Sequence, residues 1–207
     1  MSNGTNEIER LWKVQTSLNK LILDGRRDPG DVADILQKIL DKGANPYLNL
    51  VDTAILAPTK GSVTIAQSAD VFPGFLDPNF EGWDTNVAGV DTAEMSADIY
   101  EMKKDGTYAQ LFGSLTGAQG SYEEIAAACR PLCWQQGQIV EFARSHRALL
   151  RQDGYGTFFL FEVNGELFVA NVRVGGGQLQ VNVRRFSLTS VWYAGHRHRV
   201  VVPQQTV

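Results

Sequence analysis

The chain has 207 residues, of which 43% are hydrophobic and 20% are charged, and its formal net charge is −4. This composition is typical of a globular protein and excludes a disordered or fibrous chain. No apolar run approaches the roughly 20 residues of a membrane span, and the N-terminus lacks the basic and apolar regions of a secretory signal, so we expect no contact with a membrane. Together with only two cysteines, these features predict a cytoplasmic protein.

The first 42 residues predict a helical hairpin. Residues 7–24 and about 28–41 each carry apolar side chains at helical spacing. Between them, Asp28 followed by Pro29 is typical of a helix start. Three aspartates on the exposed side of the second helix would repel phosphate, which argues against a DNA-binding helix-turn-helix. We therefore expect the hairpin to dock on the rest of the chain or on another protein.

Residues 43–94 predict an irregular connector rich in acidic and aromatic side chains. Four prolines and scattered glycines interrupt its periodicity, which leaves one candidate strand near residues 62–66. Such a segment either wraps the core as an ordered strap or stays mobile and folds on a partner. The ordered strap is favoured by four large aromatic side chains in a short run: Phe72, Phe75, Phe80 and Trp83.

Residues 95–207 predict an α+β domain in which helices pack on a four-stranded antiparallel sheet with meander topology. Ser121 and Glu124 have the spacing of a capping box, which predicts a helix as far as Arg130. A second helix is predicted from about residue 135 to residue 152. Runs rich in Val, Phe and Tyr predict the four strands at residues 155–163, 166–174, 178–186 and 191–203.

The turns between these strands predict the register of the sheet. The Asn-Gly dipeptide after the first strand is the strongest short-range signal for a hairpin, and a two-residue turn there sets Phe161 opposite Phe168. Within the triple glycine, a two-residue turn sets Val172 opposite Val181 and produces one continuous apolar face, whereas a three-residue loop does not. The opposite face then carries Phe158, Leu160, Leu167, Val169, Asn171, Arg173, Gln180, Asn182, Arg184 and Phe186.

The basic residues are concentrated near the C-terminus. Residues 144–207 hold eight arginines, no lysine and three acidic residues, so they carry a charge of about +5, against about −9 for the first 143 residues. These arginines either bind an anionic partner or dock against the acidic half of the same chain, and the second arrangement needs no partner.

The sequence therefore predicts a non-enzymatic binding or adaptor protein that contacts its partner through the helical hairpin or the mixed arginine and aromatic sheet face. A protein partner is expected and no cofactor. RNA or single-stranded DNA is the alternative, because arginines and aromatic rings stack on bases. Alternatively, a helix covers the apolar half of that face, and the arginines are simply solvated at its edge. The predicted contact residues are Phe158, Asn171, Arg173, Asn182, Arg184 and Phe186, with Arg197 and Arg199 on the last strand.

A metal-dependent enzyme is the second alternative. His196 and His198 are two residues apart, so on a strand they would face the same way. Cys129, Cys133 and His146 could complete a ligand set for zinc, but their spacing matches no common zinc motif. A buried cysteine pair and surface histidines account for the same residues, and no metal site is predicted. The chain also lacks the Gly-x-Ser-x-Gly, phosphate-loop and dinucleotide motifs.

Two stretches resemble segments of hypothetical proteins from uncultivated, small-genome bacteria. They are LNKLILDGRRDPGDVADILQKIL at residues 18–40, and the block at residues 133–172 and 191–204 that contains CWQQGQIVEFARSHRALLRQDGYGTFFLFEVNGELFVANV and VWYAGHRHRVVVPQ. The resemblance covers about half of the chain. It implies a bacterial, cytoplasmic protein with separable N-terminal and C-terminal modules, and it transfers no catalytic or binding residues.

Overall fold

The computed structural model describes residues 45–204, together with Thr16, Lys20 and residues 23–25 and 28–30. The chain divides into two compact units, Met1–Ala44 and Asn45–Val207. Apart from those few positions, the predicted N-terminal helical hairpin lies outside the described residues. The fold described is that of the second unit.

Seven strands and four α-helices make up residues 45–204. The strands are β1 (Leu48–Leu56), β2 (Phe75–Leu76), β3 (Met95–Met102), β4 (Thr157–Val163), β5 (Glu166–Gly175), β6 (Gln178–Arg185) and β7 (Arg199–Pro203). The helices are α1 (Asn79–Gly82), α2 (Tyr108–Thr116), α3 (Tyr122–Cys129) and α4 (Gln136–Ser145). Short 3-10 turns lie at Arg130–Leu132, Arg147–Leu149 and Ala194–His196.

The predicted four-stranded antiparallel meander is wrong, because the strands form one mixed sheet of seven in the order β1-β3-β7-β4-β5-β6-β2. The last strand does not return beside β6. It lies between β3 and β4, antiparallel to the first and parallel to the second. The free edge of β6 is instead occupied by β2, which runs parallel to it. Residues distant in sequence thus complete both sides of the β4-β5-β6 hairpins, which local turn signals cannot show.

The predicted register of β4, β5 and β6 is confirmed. Phe161 pairs with Phe168, and Val172 pairs with Val181. Both turns consist of two residues with positive φ, at Asn164-Gly165 and at Gly176-Gly177. Such turns match the right-handed twist of the flanking strands, so their chemistry determines the register.

Both faces of the sheet are covered. The first face packs on α4 and on residues 59–91, through side chains such as Phe72, Phe80 and Phe142. The second face packs on α2 and α3, through side chains such as Leu111 and Phe112. The layers therefore place the sheet in the middle of the domain, with two separate hydrophobic cores.

The prediction of an irregular connector is wrong at residues 48–56, which form β1 at the edge of the sheet and pair with β3. The following residues do wrap the first face as the aromatic run suggests, with Phe72 and Phe80 almost completely buried. Gln136 at the start of α4 ties this segment to the core, since its Oε1 accepts from the Ile65 amide at 3.1 Å and its Nε2 donates to the Thr85 carbonyl at 2.6 Å.

Capping chemistry determines where the helices of the second face begin. Ser121 and Glu124 form the predicted capping box at the start of α3. Thr107 and Gln110 form a second capping box at the start of α2. The reciprocal side-chain bonds satisfy backbone N–H groups that the first turn leaves free. Tyr108 is therefore held at the first position of α2, facing the sheet.

Several C-terminal arginines dock on acidic residues from earlier in the chain. Nη1 of Arg184 lies 3.3 Å from Oδ2 of Asp77. Nη1 of Arg151 lies 3.5 Å from Oε2 of Glu101. The charge asymmetry of the sequence is thus partly neutralised within the fold. No helix of the described residues is long and apolar enough to cross a membrane.

Candidate functional site

The aromatic half of the predicted contact face is buried. Phe158 and Phe186 have no exposed surface and lie beneath α2 and α3. The ring of Tyr108 meets that of Phe158 edge-on, with centroids 5.1 Å apart. Phe112 meets Phe186 in the same way at 6.1 Å. With helices over them, these two phenylalanines are not available to stack on the bases of a nucleic acid.

The polar half of the same face forms a hydrogen-bonded network around a buried carboxylate. Asn171 and Asn182 lie directly opposite each other on β5 and β6. Oδ2 of Asp77 lies 3.3 Å from Nη1 of Arg184 and 3.5 Å from Nδ2 of Asn182. Arg173 donates from Nη2 to Oδ1 of Asn182. Four of the predicted contact residues are thus brought together on the second face.

Five buried polar atoms beside this network have no hydrogen-bond partner among the described residues. We call their side chains the buried polar cluster: Tyr108 (Oη), Asn171 (Oδ1), Arg173 (Nε), Trp192 (Nε1) and His198 (Nε2). Leaving a buried polar group unpaired costs about 1–3 kcal/mol. A molecule that paired them would recover much of this free energy.

The buried polar cluster surrounds the ring of Phe158. The ring centroids of Tyr108, Trp192 and His198 lie 5.1, 4.8 and 5.1 Å from the Phe158 centroid. The Trp192 ring also lies 5.3 Å from that of Tyr108 and 5.1 Å from that of His198. Asn171 pairs with Phe158 across β4 and β5. The unpaired groups therefore belong to one site, to which α2, the two strands β4 and β5, and the segment before β7 contribute.

A glycine makes room for the polar groups at the start of β4. The Gly156 amide donates to Nδ1 of His198 at 2.9 Å. A Cβ atom on Gly156 would lie 2.3 Å from Oδ1 of Asn171 and 2.6 Å from Cε1 of Phe158. A larger residue at position 156 would therefore force the side chains of Asn171 and Phe158 to move. Gly156 therefore sets the distance between His198 and Asn171.

His198 is a neutral hydrogen-bond donor at this site. Burial lowers its pKa to about 4, and the neighbouring cations Arg151 and Arg173 act in the same direction. Because Nδ1 accepts the Gly156 amide proton, the single proton of the neutral ring lies on Nε2. That N–H is the atom that finds no acceptor in the described part of the chain.

The charged groups nearest the cluster are positive. Burial raises the pKa of Tyr108, whereas Arg184 and Arg173 oppose that rise. Arg173 acts on His198 as well. Since the charge of Arg184 is shared with Asp77, Arg173 is the cation that contributes most directly to a positive potential at the unpaired atoms.

Exposed rings border the cluster on its solvent side. Tyr155 stacks on His196, with centroids 4.3 Å apart and planes 13° apart, and it meets the buried His198 ring at 5.7 Å. Tyr193 is 61% exposed and lies 6.0 Å from His196. We call Tyr155, Tyr193 and His196 the aromatic rim. Arg197 follows in a left-handed conformation, with its side chain 68% exposed and its Nε 4.0 Å from Oε1 of Glu101.

The segment that carries Trp192 covers the cluster. Residues 187–197 contain no strand and only the short turn Ala194–His196. Two backbone hydrogen bonds of 3.1 and 2.9 Å join Trp192 to Gly106, and the Ala194 amide donates to Asp105 at 2.7 Å. Leu188 and Trp192 also pack on the second core, but the segment lacks the continuous hydrogen-bond ladder of the strands, so it is the part of the site that would move when a ligand enters.

The metal candidates of the sequence do not form a metal site. Burial raises the thiol pKa of both Cys129 and Cys133 to about 12, so both stay protonated. Nε2 of His146 lies 3.0 Å from a β1 carbonyl oxygen. The His196 and His198 rings are 5.5 Å apart. Within the described ranges, no group of three or more His, Cys, Asp or Glu side chains is placed to hold a metal ion.

Sequence reasoning missed several members of the site. Conversely, two of the predicted contact residues do not join the site. Arg199 lies on the first face and donates to the Leu149 carbonyl, and Arg197 is not part of the cluster either. Tyr108 and Trp192, by contrast, reach the site only through tertiary packing. The spacing of Thr107 and Gln110 is a capping-box signal that would have placed Tyr108 at a helix start. No sequence signal indicates that Trp192 would reach it.

Comparison with protein-family models, with curated proteins and with solved structures finds no match for this chain. The resemblance to hypothetical proteins of small-genome bacteria therefore stays a prediction. Support for a function therefore comes from the geometry of the second face.

Proposed function

We propose that the protein is a non-enzymatic binding protein that holds a small polar molecule at the buried polar cluster. The observation that supports this proposal is a group of five buried, unpaired polar atoms, of which four lie on side chains next to Phe158 and the fifth on Arg173, two residues along β5 from Asn171. A bound molecule would pair them and would be released by movement of residues 187–197. The cytoplasmic location expected from the sequence is part of the same proposal.

The chemistry of the cluster favours binding over catalysis. Its members are a phenol, an amide, a guanidinium, an indole and an imidazole, none of which is a nucleophile here. His198 has a pKa of about 4 and one ring nitrogen occupied by the Gly156 amide. Such a group is a weak general base near neutral pH, since an efficient base has a pKa close to the working pH.

A protein partner, which the sequence favoured, is a less direct explanation. The aromatic half of the second face is covered by α2 and α3. A protein partner could therefore contact only the polar half, at Arg173 and Arg184. Arg184 is only 39% exposed through its side chain and is paired with Asp77. The proposal of a small ligand instead accounts for the buried groups that a protein surface cannot reach.

The test is a screen of small polar molecules by thermal unfolding and tryptophan fluorescence on the full chain. We expect at least one compound to raise the unfolding temperature and to change the emission of Trp192. Tyr108→Phe should abolish the rise in unfolding temperature, and Trp192→Phe should abolish the change in emission. Tyr100→Phe, which removes a phenol that bonds Asp98 outside the cluster, serves as the matched control and should retain both. A hit that survives Tyr108→Phe unchanged would place the ligand elsewhere and contradict the proposal.

Single-stranded nucleic acid is a second candidate, favoured by one observation. The exposed stack of Tyr155 on His196, beside Tyr193 and Arg197, offers rings on which bases can stack. The test is fluorescence anisotropy of labelled single-stranded RNA and DNA at low and moderate salt. Binding that weakens with salt and is lost in a Tyr155→Ala, Tyr193→Ala double variant would support it. Absence of binding at low salt would leave the rim as a border of the small-molecule site.

A further inference from the structure

We infer that the molecule bound at the buried polar cluster is a small carboxylate with a flat apolar group, such as an aromatic acid. This inference rests on the proposed function and names the chemical class of its ligand. It depends on the balance of donors and acceptors, on one uncompensated cation and on the rings that line the site.

Donors outnumber acceptors in the cluster. The indole N–H of Trp192 and Nε–H of Arg173 can only donate. Nε2 of His198 also donates, because Nδ1 accepts from the Gly156 amide. The Tyr108 hydroxyl can donate as well, which leaves Asn171 Oδ1 as the one obligate acceptor. A carboxylate has two oxygens and accepts up to about four hydrogen bonds, so it matches the four donors, whereas Asn171 Oδ1 needs a donor from another part of the ligand or from water.

The charge of the site matches a single negative charge. Arg184 is paired with the buried carboxylate of Asp77. Arg173, in contrast, donates to the neutral amide of Asn182 and forms no ion pair with any described residue. Taking a half-buried guanidinium out of water without a counter-charge is costly, and hydrogen bonds between a cation and a carboxylate are among the strongest in proteins. One uncompensated cation favours a monoanion over a phosphate dianion.

The rings that enclose the cluster favour an apolar group beside the carboxylate. Phe158, Trp192 and Tyr108 have centroids between 4.8 and 5.3 Å from one another. These rings are packed against one another, so a flat apolar group of the ligand would contact them only after Trp192 has moved with the cover. The stacked rings of the aromatic rim continue the same surface towards solvent. A ligand with a ring and a carboxylate uses both parts of the site.

The ligand reaches the unpaired atoms only when the cover moves, since each of these atoms is closed to solvent. Displacement of residues 187–197 would carry Trp192 away from His198 and Phe158. Binding should therefore change the tryptophan emission, and the change should disappear in Trp192→Phe.

The experiment is isothermal titration calorimetry of the full chain with benzoate, benzamide and inorganic phosphate. Benzoate and benzamide have the same ring, but only benzoate is charged, so the pair isolates the contribution of the carboxylate. We expect benzoate to bind at least 10-fold more tightly than benzamide or phosphate. Arg173→Gln should weaken benzoate binding at least 10-fold. Arg185→Gln, which removes an exposed arginine paired with Glu166, should change it less than twofold.

Different results overturn different statements. Benzamide binding as tightly as benzoate, with loss of both in Tyr108→Phe, would reject the carboxylate and leave the binding site intact. Tighter binding of phosphate would reject the apolar group. Benzoate binding that neither Arg173→Gln nor Tyr108→Phe weakens would reject both the ligand class and the site. Absence of binding by all three compounds would reject this inference, while the broader screen still decides the proposed function.

Discussion

Replacing Tyr108 with phenylalanine tests whether the polar cluster is left unpaired in the free protein. The hydroxyl is fully buried and has no partner in the described ranges. Removing it should recover part of a penalty of about 1–3 kcal/mol, without leaving a cavity larger than one oxygen atom. We expect a gain of about 1 kcal/mol, which is a rise of about 2–4 °C in the unfolding temperature of a domain of this size.

The assay is differential scanning calorimetry of the full chain without ligand, beside the matched variant Tyr100→Phe. Tyr100 lies on the same face, but its hydroxyl donates to Oδ2 of Asp98 at 3.4 Å. That variant should lose stability slightly, by less than about 1 kcal/mol. If Tyr108→Phe instead destabilises the protein by 1 kcal/mol or more, an ordered water pairs the hydroxyl. The cost that a ligand is proposed to recover would then not exist.

Three further substitutions test the structure of the site by urea unfolding. Gly156→Ala should destabilise by roughly 2–4 kcal/mol because its Cβ would collide with the buried side chains of Asn171 and Phe158. Gly195→Ala has open space around it and should have little effect. Similar losses in both variants would contradict this. His198 has a pKa of about 4 in the folded protein and near 6.5 in the unfolded chain, so the unfolded state binds its proton first as the pH falls. The free energy of unfolding should therefore decrease by about 1–3 kcal/mol between about pH 6.5 and pH 4. His198→Gln should remove this pH dependence. Arg184→Met should lower the free energy of unfolding by about 1–3 kcal/mol, because it leaves a buried carboxylate without its cation. Arg185→Met, which removes an exposed arginine, should lower it by less than about 1 kcal/mol. Equal effects would show that the Arg184 pair is not buried in solution.

The two parts of the second face have different physical roles. Asp77, Asn182 and Arg184 satisfy one another and join β2 to β6. Tyr108 and Trp192 instead contribute polar atoms that the fold leaves unpaired. Proteins commonly lose stability at the sites where they bind ligands. The first group therefore maintains the fold, and the second is the part to which a ligand is assigned.

The same division explains why a double charge reversal at Arg173 and Arg184 would be hard to interpret. Placing a carboxylate at position 184 would set it against the buried Asp77, 3.3 Å from the present guanidinium. Like charges at that distance inside a protein are strongly unfavourable. Arg173→Gln changes the proposed site without this repulsion, which is why it is the variant chosen for the binding experiment.

Local sequence determined the hairpins and one of the caps. Two turns with glycine at a positive-φ position set the register of β4, β5 and β6, and alternation placed Asn171, Arg173 and Arg184 on one face. The capping box at Ser121 placed the start of α3. These features depend on residues within a few positions of one another, so their physics can be derived from the chain alone.

Tertiary structure alone decided the rest of the sheet and the site. β7 lies between β3 and β4 because two apolar strands distant in sequence offered unpaired edges, and β2 closes the far side in the same way. Whether a polar face is exposed or covered depends on which helix packs on it. Tyr108 and Trp192 reach Phe158 only by that packing. The unpaired polar atoms are thus a property of distant elements brought together, and no local pattern encodes that property.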